Sequence, residues 1–285
     1  MTSIGAVFRP QFAPETLRDV ALAGEAAGLE QLWLWEDCFL SSGLAPAAAV
    51  LAWTERLRVG IGLMPVALRN VALTAMEIAT LERMFPGRFI AGFGHGVQDW
   101  MGQAGARVSS PMTLLREQGE VLQRLLAGEN VTTAGRYVTL TDVELAWPPT
   151  TPVHLASGGV GPRTIALAGE LVDAVILTSG IPPEKLAESR ALIEETRAAL
   201  GRTAPLNLIA YVAAGGPGST DRMAADRAKR PQAPADVHGE PAEVAEALAA
   251  WVAAGVDTIV LEPTPDEPDP VAFARFAAEV GRLIA

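Results

Sequence analysis

One junction recurs along this chain and restricts its fold more than any other feature. Residues 26–35 read AAGLEQLWLW, residues 168–177 read AGELVDAVIL and residues 253–262 read AAGVDTIVLE. Each copy ends a helical stretch, often at a Gly suited to the positive φ of a helix C-terminus. Each then passes within a few residues into an apolar, β-rich run. Before the last copy, Val244, Ala247, Leu248, Trp251 and Val252 stand at helical spacing after a Pro-initiated start at Pro241. The runs are continuously apolar rather than alternating, as strands of a parallel sheet buried on both faces are.

Eight such runs follow one another: Ile4–Phe8, Gln31–Trp35, Arg58–Leu63, Arg88–Phe93, Val153–Ala156, Ala174–Leu177, Leu206–Ala213 and Thr258–Leu261. Helical stretches separate most of them, at Glu15–Ala27, Ala72–Met84, Met112–Leu126, Arg163–Leu171, Pro183–Leu200 and Pro241–Ala254. Eightfold alternation predicts an α/β fold, a (β/α)8 TIM barrel, with residues 1–285 forming a single domain. A doubly wound open sheet is the competing architecture, but its GxGxxG after the first strand is absent. Two insertions break the rhythm. About 60 residues, with an expected hairpin at Tyr137–Leu145, follow the fourth strand, and Gly215–Val237 follows the seventh. Both leave strand C-termini, where barrel active sites form, and are expected to act as lids.

The formal net charge of −11 argues against nucleic acid or an anionic membrane as a partner. No apolar run reaches the roughly 18 residues a membrane span needs, and the start, MTSIGAVFRPQF, does not read as a signal peptide. Cys38 is the only cysteine, which suits a reducing compartment, so a cytoplasmic location is expected. The three histidines show no paired spacing, and no metal site is expected.

The residues just beyond each strand are the candidates for chemistry: Arg9 and Gln11; Glu36, Asp37 and Cys38; Gly62, Leu63, Met64 and Pro65; His95, Gln98 and Asp99; the turn from Ser157 to Arg163; Thr178 and Ser179; and Glu262. In the fifth position, Gly158, Gly159 and Gly161 lead into a helix beginning near Pro162, flanked by Ser157 and Arg163. A Gly-rich turn feeding a helix N-terminus suits phosphate; the plainer reading is a tight turn that needs Gly. Gly94 and Gly96 could admit a flat ring or only relieve crowding. His95 reads as an acid/base group or as a hydrogen-bonded structural residue. Glu36 and Asp37 read as an acid/base pair, as ligand acceptors or as a capping turn.

Taken together, these strand ends resemble the bacterial-luciferase-like flavin and deazaflavin oxidoreductases. The markers are LWLWEDCF, then GIGLMPVALRNVALTAMEIATLERMFPGRFIAGFGHG, then PVHLASGGVGPRTIALAGELVDAVILTSG, and last HGEPAEVAEALAAWVAAGVDTIVLEP, in family order over nearly the whole chain. The branch most resembled contains methylenetetrahydromethanopterin reductase, which uses coenzyme F420. The resemblance implies hydride transfer between the deazaflavin C5 and a small organic substrate, with an FMN-dependent monooxygenase as the alternative and a non-catalytic flavin-binding protein as a further one. It implies a ring across the barrel mouth and a non-prolyl cis peptide at Gly62–Leu63 pressing backbone against one ring face. Asp37 would meet the ring's polar edge, with Cys38, Gly62, Leu63, Met64, Gly94, His95 and Gly96 around it. Ser157, Gly158, Gly159, Val160 and Arg163 would hold the phosphate. A homodimer is expected as in relatives. The chain departs from the pattern in two places. Cys38 stands where several relatives have His, and Val97 stands where a sugar-phosphate-oxidising branch has a catalytic Glu, so Glu36 and His95 become the candidates for proton transfer.

Overall fold

In a computed structural model, which describes residues 2–178, 180–230 and 235–284, the eight apolar runs pair edge to edge into a closed parallel barrel. The strands in chain order are β1 (Ser3–Phe8), β2 (Gln31–Leu34), β3 (Arg58–Pro65), β4 (Phe89–Gly94), β5 (Val131–Ala134), β6 (Thr139–Val143), β7 (His154–Gly159), β8 (Ala174–Leu177), β9 (Asn207–Gly215), β10 (Asp236–His238) and β11 (Thr258–Glu262). The barrel runs β9-β11-β1-β2-β3-β4-β7-β8 and closes where β8 pairs with β9, with Ala174 opposite Asn207. The short β10 adds to the outer end of β9, and β5 with β6 forms a separate antiparallel hairpin.

The helices are α1 (Leu17–Ala27), α2 (Leu44–Trp53), α3 (Val71–Met84), α4 (Gln98–Gln103), α5 (Pro111–Leu126), α6 (Pro162–Leu171), α7 (Pro183–Ala199), α8 (Thr220–Lys229), α9 (Pro241–Ala253) and α10 (Pro270–Ile284). Their ends follow local chemistry. Gly28 stops α1 at φ 89°, Asn70 Oδ1 accepts from Ala72 N at the start of α3, and Glu240 and Glu243 form a reciprocal capping box on α9. Among the described residues no helix is long and apolar enough to cross a membrane.

Two layers of core result. Between strands and helices lies a continuous apolar shell, including Leu32, Ile61, Ile78, Leu115 and Leu248. Inside the barrel a smaller cluster holds Val7, Trp33, Ile90, Ile176, Tyr211 and Val260. Trp33 is wholly buried and fills so much of this interior that a Cβ on Gly60 would lie 2.5 Å from its ring.

Several elements differ from expectation. The runs Gln31–Trp35 and Arg88–Phe93 end or begin one residue away from the observed strands, whereas β3 continues to Pro65 and β7 to Gly159. Ser157, Gly158 and Gly159 are therefore strand residues, paired with Val175, Ile176 and Leu177, rather than a turn beyond the strand. The hairpin lies at 131–143, because Glu117 on α5 accepts from the backbone N–H groups of Arg136, Tyr137 and Val138 and so makes them the turn. This ties the hairpin to α5, and none of its residues lines the cavity at the barrel mouth. The helices α2, α4, α8 and α10 form where none was expected. In α2 the sequence LAPAAAVLAW is apolar on every side and shows no helical period.

Candidate functional site

Six strands converge on one cavity of about 470 Å³ at the C-terminal mouth of the barrel. From β2 come Trp35, Glu36 and Asp37, and from the β3 bulge come Gly62, Leu63 and Pro65. Beyond β4 stand His95, Gly96, Val97 and Trp100, while β7 gives Gly158 and Gly159 with Val160 and Gly161 after them. Thr178 follows β8 and Tyr211 lies within β9. Among the described residues no Lys or Arg lines this cavity.

The bulge is a register change in β3. Ile61 pairs with Ala91, yet Met64 pairs with Phe93, so one extra residue is taken up at Gly62–Leu63. That peptide bond is cis, as the resemblance implied, and a second non-prolyl cis bond joins Cys38 to Phe39. The glycines are fitted to their neighbours. A Cβ on Gly62 would lie 2.0 Å from the Tyr211 hydroxyl, one on Gly158 2.0 Å from the Ile176 carbonyl oxygen, and one on Gly94 2.8 Å from Leu63 Cδ1.

Glu36 is 8% exposed and fully engaged. The Arg69 guanidinium donates to both its oxygens, with Nη2 2.8 Å from Oε2, and Gly43 N donates to Oε2 at 2.8 Å. A bidentate charged pair of this kind holds a side chain in one orientation. Glu36 thus braces the segment between β2 and α2, with its oxygens occupied by that task.

Asp37 is different: among the described residues no hydrogen bond reaches its carboxylate. Burial raises its carboxyl above the usual range, opposed by the nearby Arg9 cation. Arg9 donates to Glu262 (2.5 Å), to the Pro263 carbonyl (3.0 Å) and to Gln11 (3.2 Å), and its guanidinium lies 5.0 Å from the centre of the Trp35 ring. Glu262 itself, 3% exposed, is pushed up to about 6 by burial in spite of Arg9.

His95 sits with Nδ1 2.8 Å from the Gly96 carbonyl oxygen. A carbonyl only accepts, so Nδ1 carries a hydrogen and Nε2 is the nitrogen left for a ligand. That nitrogen stands beside Gly159, 3.9 Å from where its Cβ would be.

The cavity therefore gathers Glu36, Asp37, Gly62, Leu63, His95, Gly96, Gly158, Gly159 and Val160 of the expected site. Five others stand apart from its lining. Met64 is 2% exposed and packs into the outer core, because the bulge turns its side chain away from the mouth. Ser157 is completely buried, since its position lies within β7. Gly94 lies behind Leu63. Cys38 faces a neighbouring open groove with Phe39 and Arg69, and burial together with Glu36 and Asp37 raises its thiol, keeping it protonated. Arg163 is exposed at the start of α6. In that first turn Pro162 has no N–H, and Thr164 and Ile165 donate back to Gly161 O. The expected amide cradle is correspondingly narrower. Of the two expected lids, the first reaches the cavity through Val97 and Trp100, and no described residue of 215–237 lines it. Ser179 lies outside the described residues.

The sequence reading placed Pro65 at the end of the third strand but missed Trp35 and Tyr211. Tyr211 carried a signal: it is a hydroxylated aromatic inside the otherwise apolar run LIAYVAA.

Comparisons with known proteins agree with this architecture. A curated F420-dependent glucose-6-phosphate dehydrogenase from Kineococcus radiotolerans is 35% identical over 185 residues, covering 60% of this chain and 54% of its own length. A 5,10-methylenetetrahydromethanopterin reductase from Methanolobus tindarius is 28% identical, covering 64% and 56%. The chain thus spans about half the length of the curated relatives it matches. Among solved structures, an F420-dependent secondary alcohol dehydrogenase in complex with an F420-acetone adduct superposes with a TM-score of 0.88 at 21% identity, covering 100% of this chain and 99% of that one. The coenzyme F420 dependent tetrahydromethanopterin reductase of Methanopyrus kandleri gives 0.81 at 20% identity, covering 99% and 98%. At such identities these structures establish the shared fold. The family model described as luciferase-like monooxygenase matches residues 3–232, and with that match the chain belongs to the luciferase-like family.

Proposed function

We propose that the chain is an F420-dependent oxidoreductase acting on a small, neutral organic substrate. The observation that carries this reading is the cavity itself. An apolar slot is bounded on one side by the Gly62–Leu63 bulge and on another by Gly158 and Gly159, and its glycines leave room for a flat ring to approach backbone. Its volume lies in the lower part of the range for small-molecule sites, roughly 300–1,000 Å³. The names of the curated relatives support F420 over other ring cofactors. When bound, the deazaflavin accepts or delivers a hydride at C5.

The chain's own residues then orient and exclude water. Leu63, Val97, Trp100 and Val160 wall the slot. Asp37 accepts from the ring's polar edge, and the Gly158–Val160 segment with Arg163 holds the phosphate of the tail. His95 moves the proton at Nε2, because its Nδ1 is committed to Gly96 and Glu36 is committed to Arg69. A lining without Lys or Arg among the described residues, with Val97 in the position noted above, disfavours a phosphorylated sugar and favours an alcohol or carbonyl compound.

Titration with F420 and with FMN, followed by ring fluorescence, tests the assignment. Micromolar binding of F420 is the expected result. FMN binding without F420 binding overturns the cofactor and favours the monooxygenase reading, and binding of neither overturns the site.

The outer face of α3 carries exposed Leu73, Met76 and Met84, and Phe39, Leu40 and Leu68 join it around the groove beside Cys38. Grouped apolar side chains of this size mark a contact surface, and a second copy of the chain is the proposed occupant. Met76→Glu is expected to convert the dimer to monomer in light scattering. A wild-type monomer at micromolar concentration rejects the assignment.

A further inference from the structure

We propose that the floor of the barrel, at the N-terminal ends of its strands, holds a second binding site, where the Arg58 guanidinium receives the carboxylate of a small organic acid. This site shares no lining residue with the mouth cavity and stands independently of the cofactor reading.

Trp33, Gly60, Ala156 and Ile209 face the barrel interior. Alternate residues of a strand share a face, so Gln31, Arg58, His154 and Asn207, two positions earlier in the same strands, face inward at the floor. One half of this polar ring is closed on itself. Trp33 Nε1 donates to Gln31 Oε1 at 3.0 Å, Gln31 Nε2 to Ser3 Oγ at 2.9 Å, and Thr258 Oγ1 to Asn207 Oδ1 at 3.2 Å. The other half is open. Arg58, His154 and Asn207 line a cavity of about 660 Å³, and among the described residues no hydrogen bond or ion pair reaches the side chain of Arg58 or His154. Glu30 and Glu82 attract Arg58 from further off. Each is engaged elsewhere, Glu30 accepting from Ser3 Oγ and Glu82 from Gly87 N and Thr151 Oγ1. Trp33, wholly buried, fills the interior between floor and mouth.

The charges around this cavity select the ligand. Its lining carries Arg58 and Arg202 against one carboxylate, Asp173. Asp173 is already held by Arg197 at 2.9 Å and by Arg202 at 2.7 Å. Arg202 also donates to the Glu170 carbonyl at 2.8 Å and Arg197 to that of Val172 at 3.0 Å, so the C-terminal end of α6 presents no bare negative pole. His154 stays neutral, because burial and the Arg58 cation lower its ionisation below the usual range, and it keeps one ring N–H to donate. One uncommitted guanidinium beside one imidazole N–H suits a carboxylate, whose two oxygens match the guanidinium fork. A dianionic phosphate would need a second uncommitted cation. Ile90, Leu155, Val172 and Pro205 make part of the wall apolar, which suits an acid with an apolar body.

The test uses the full chain without cofactor, and benzoate as the probe. Calorimetry gives its Kd, hydrogen exchange read by mass spectrometry locates it, and thermal melting checks the variant. Saturable binding is expected, with slowed exchange at residues 56–60 and 151–156. Arg58→Gln is expected to weaken benzoate about tenfold, the effect of losing a hydrogen bond between charged groups. Methyl benzoate, with the same body and no charge, is expected to bind wild-type protein more weakly by a similar factor, and this comparison decides if Arg58→Gln fails to fold. Equal affinity of variant and wild type for benzoate, equal affinity of wild type for acid and ester, or no saturable binding of benzoate overturns the proposal. Slowed exchange confined to residues 35–37, 62–65 and 95–97 puts the probe in the mouth cavity and overturns it as well. Inorganic phosphate bound more tightly than benzoate overturns the choice of a carboxylate.

Discussion

Gly62→Ala is expected to lower stability by about 3 kcal/mol, at the upper end of what overpacking a filled core costs, and to remove ring binding altogether. The new methyl carbon would lie 2.0 Å from the Tyr211 hydroxyl and 3.1 Å from the carbon that bears it. Relief by swinging the phenol aside is blocked, because its ring is wedged edge-on between Trp33 and Trp35. Backbone must move instead, and the backbone here is the bulge that forms one side of the cavity. The partner substitution distinguishes this cause from a general intolerance of the bulge. Tyr211→Phe deletes the oxygen that clashes, so Gly62→Ala with Tyr211→Phe is expected to recover much of the lost stability in urea melts. The two effects are then strongly non-additive, as for residues in direct contact. A double variant no more stable than Gly62→Ala alone would mean that the hydroxyl is not the obstacle.

The barrel was legible because its signal is repeated. Strands buried on both faces must be apolar along their whole length, and eight runs of that kind in regular alternation leave few architectures. Elements without a period of their own were not legible. The run at 44–53 is apolar on every side and gives no phase from which a helix can be recognised, and the helix at 220–229 grows in a stretch rich in charge. Site residues at strand ends could be found by position, as Asp37, His95 and the glycines of β7 were. A residue in the middle of a strand, such as Tyr211, could not. Tyr211 and Met64 both occupy barrel strands, and only the register decides that one faces the cavity while the other turns into the outer core. Glu36 shows a second limit. Its position after β2 suggested acid/base chemistry, but the residue that occupies it, Arg69, lies 33 positions away in sequence beyond the β3 bulge.

That pair gives the other large expected effect. Arg69→Met removes the guanidinium that grips both Glu36 oxygens and leaves a carboxylate with 7% side-chain exposure facing the protein interior. Breaking a buried pair on one side costs about 3–5 kcal/mol, which for a chain of this size lowers Tm on the order of 10 °C. Glu36→Gln is expected to cost less. It removes the charge, keeps an acceptor for Gly43 N–H and leaves Arg69 with Glu77, 3.5 Å away. Combined with Arg69→Met it restores part of the lost stability, because no unpaired charge is then buried. The same Glu36→Gln variant also separates a brace from a proton carrier. A general acid or base contributes roughly 10²–10⁴ in rate, and its loss would change the pH profile of the proposed F420 reduction by small alcohols. A brace whose orientation is kept loses less than about tenfold and retains the profile, as expected if the proton travels through His95 Nε2 as proposed. A rate reduced a hundredfold or more, with a flattened profile and unchanged F420 affinity, would return the proton-transfer role to Glu36.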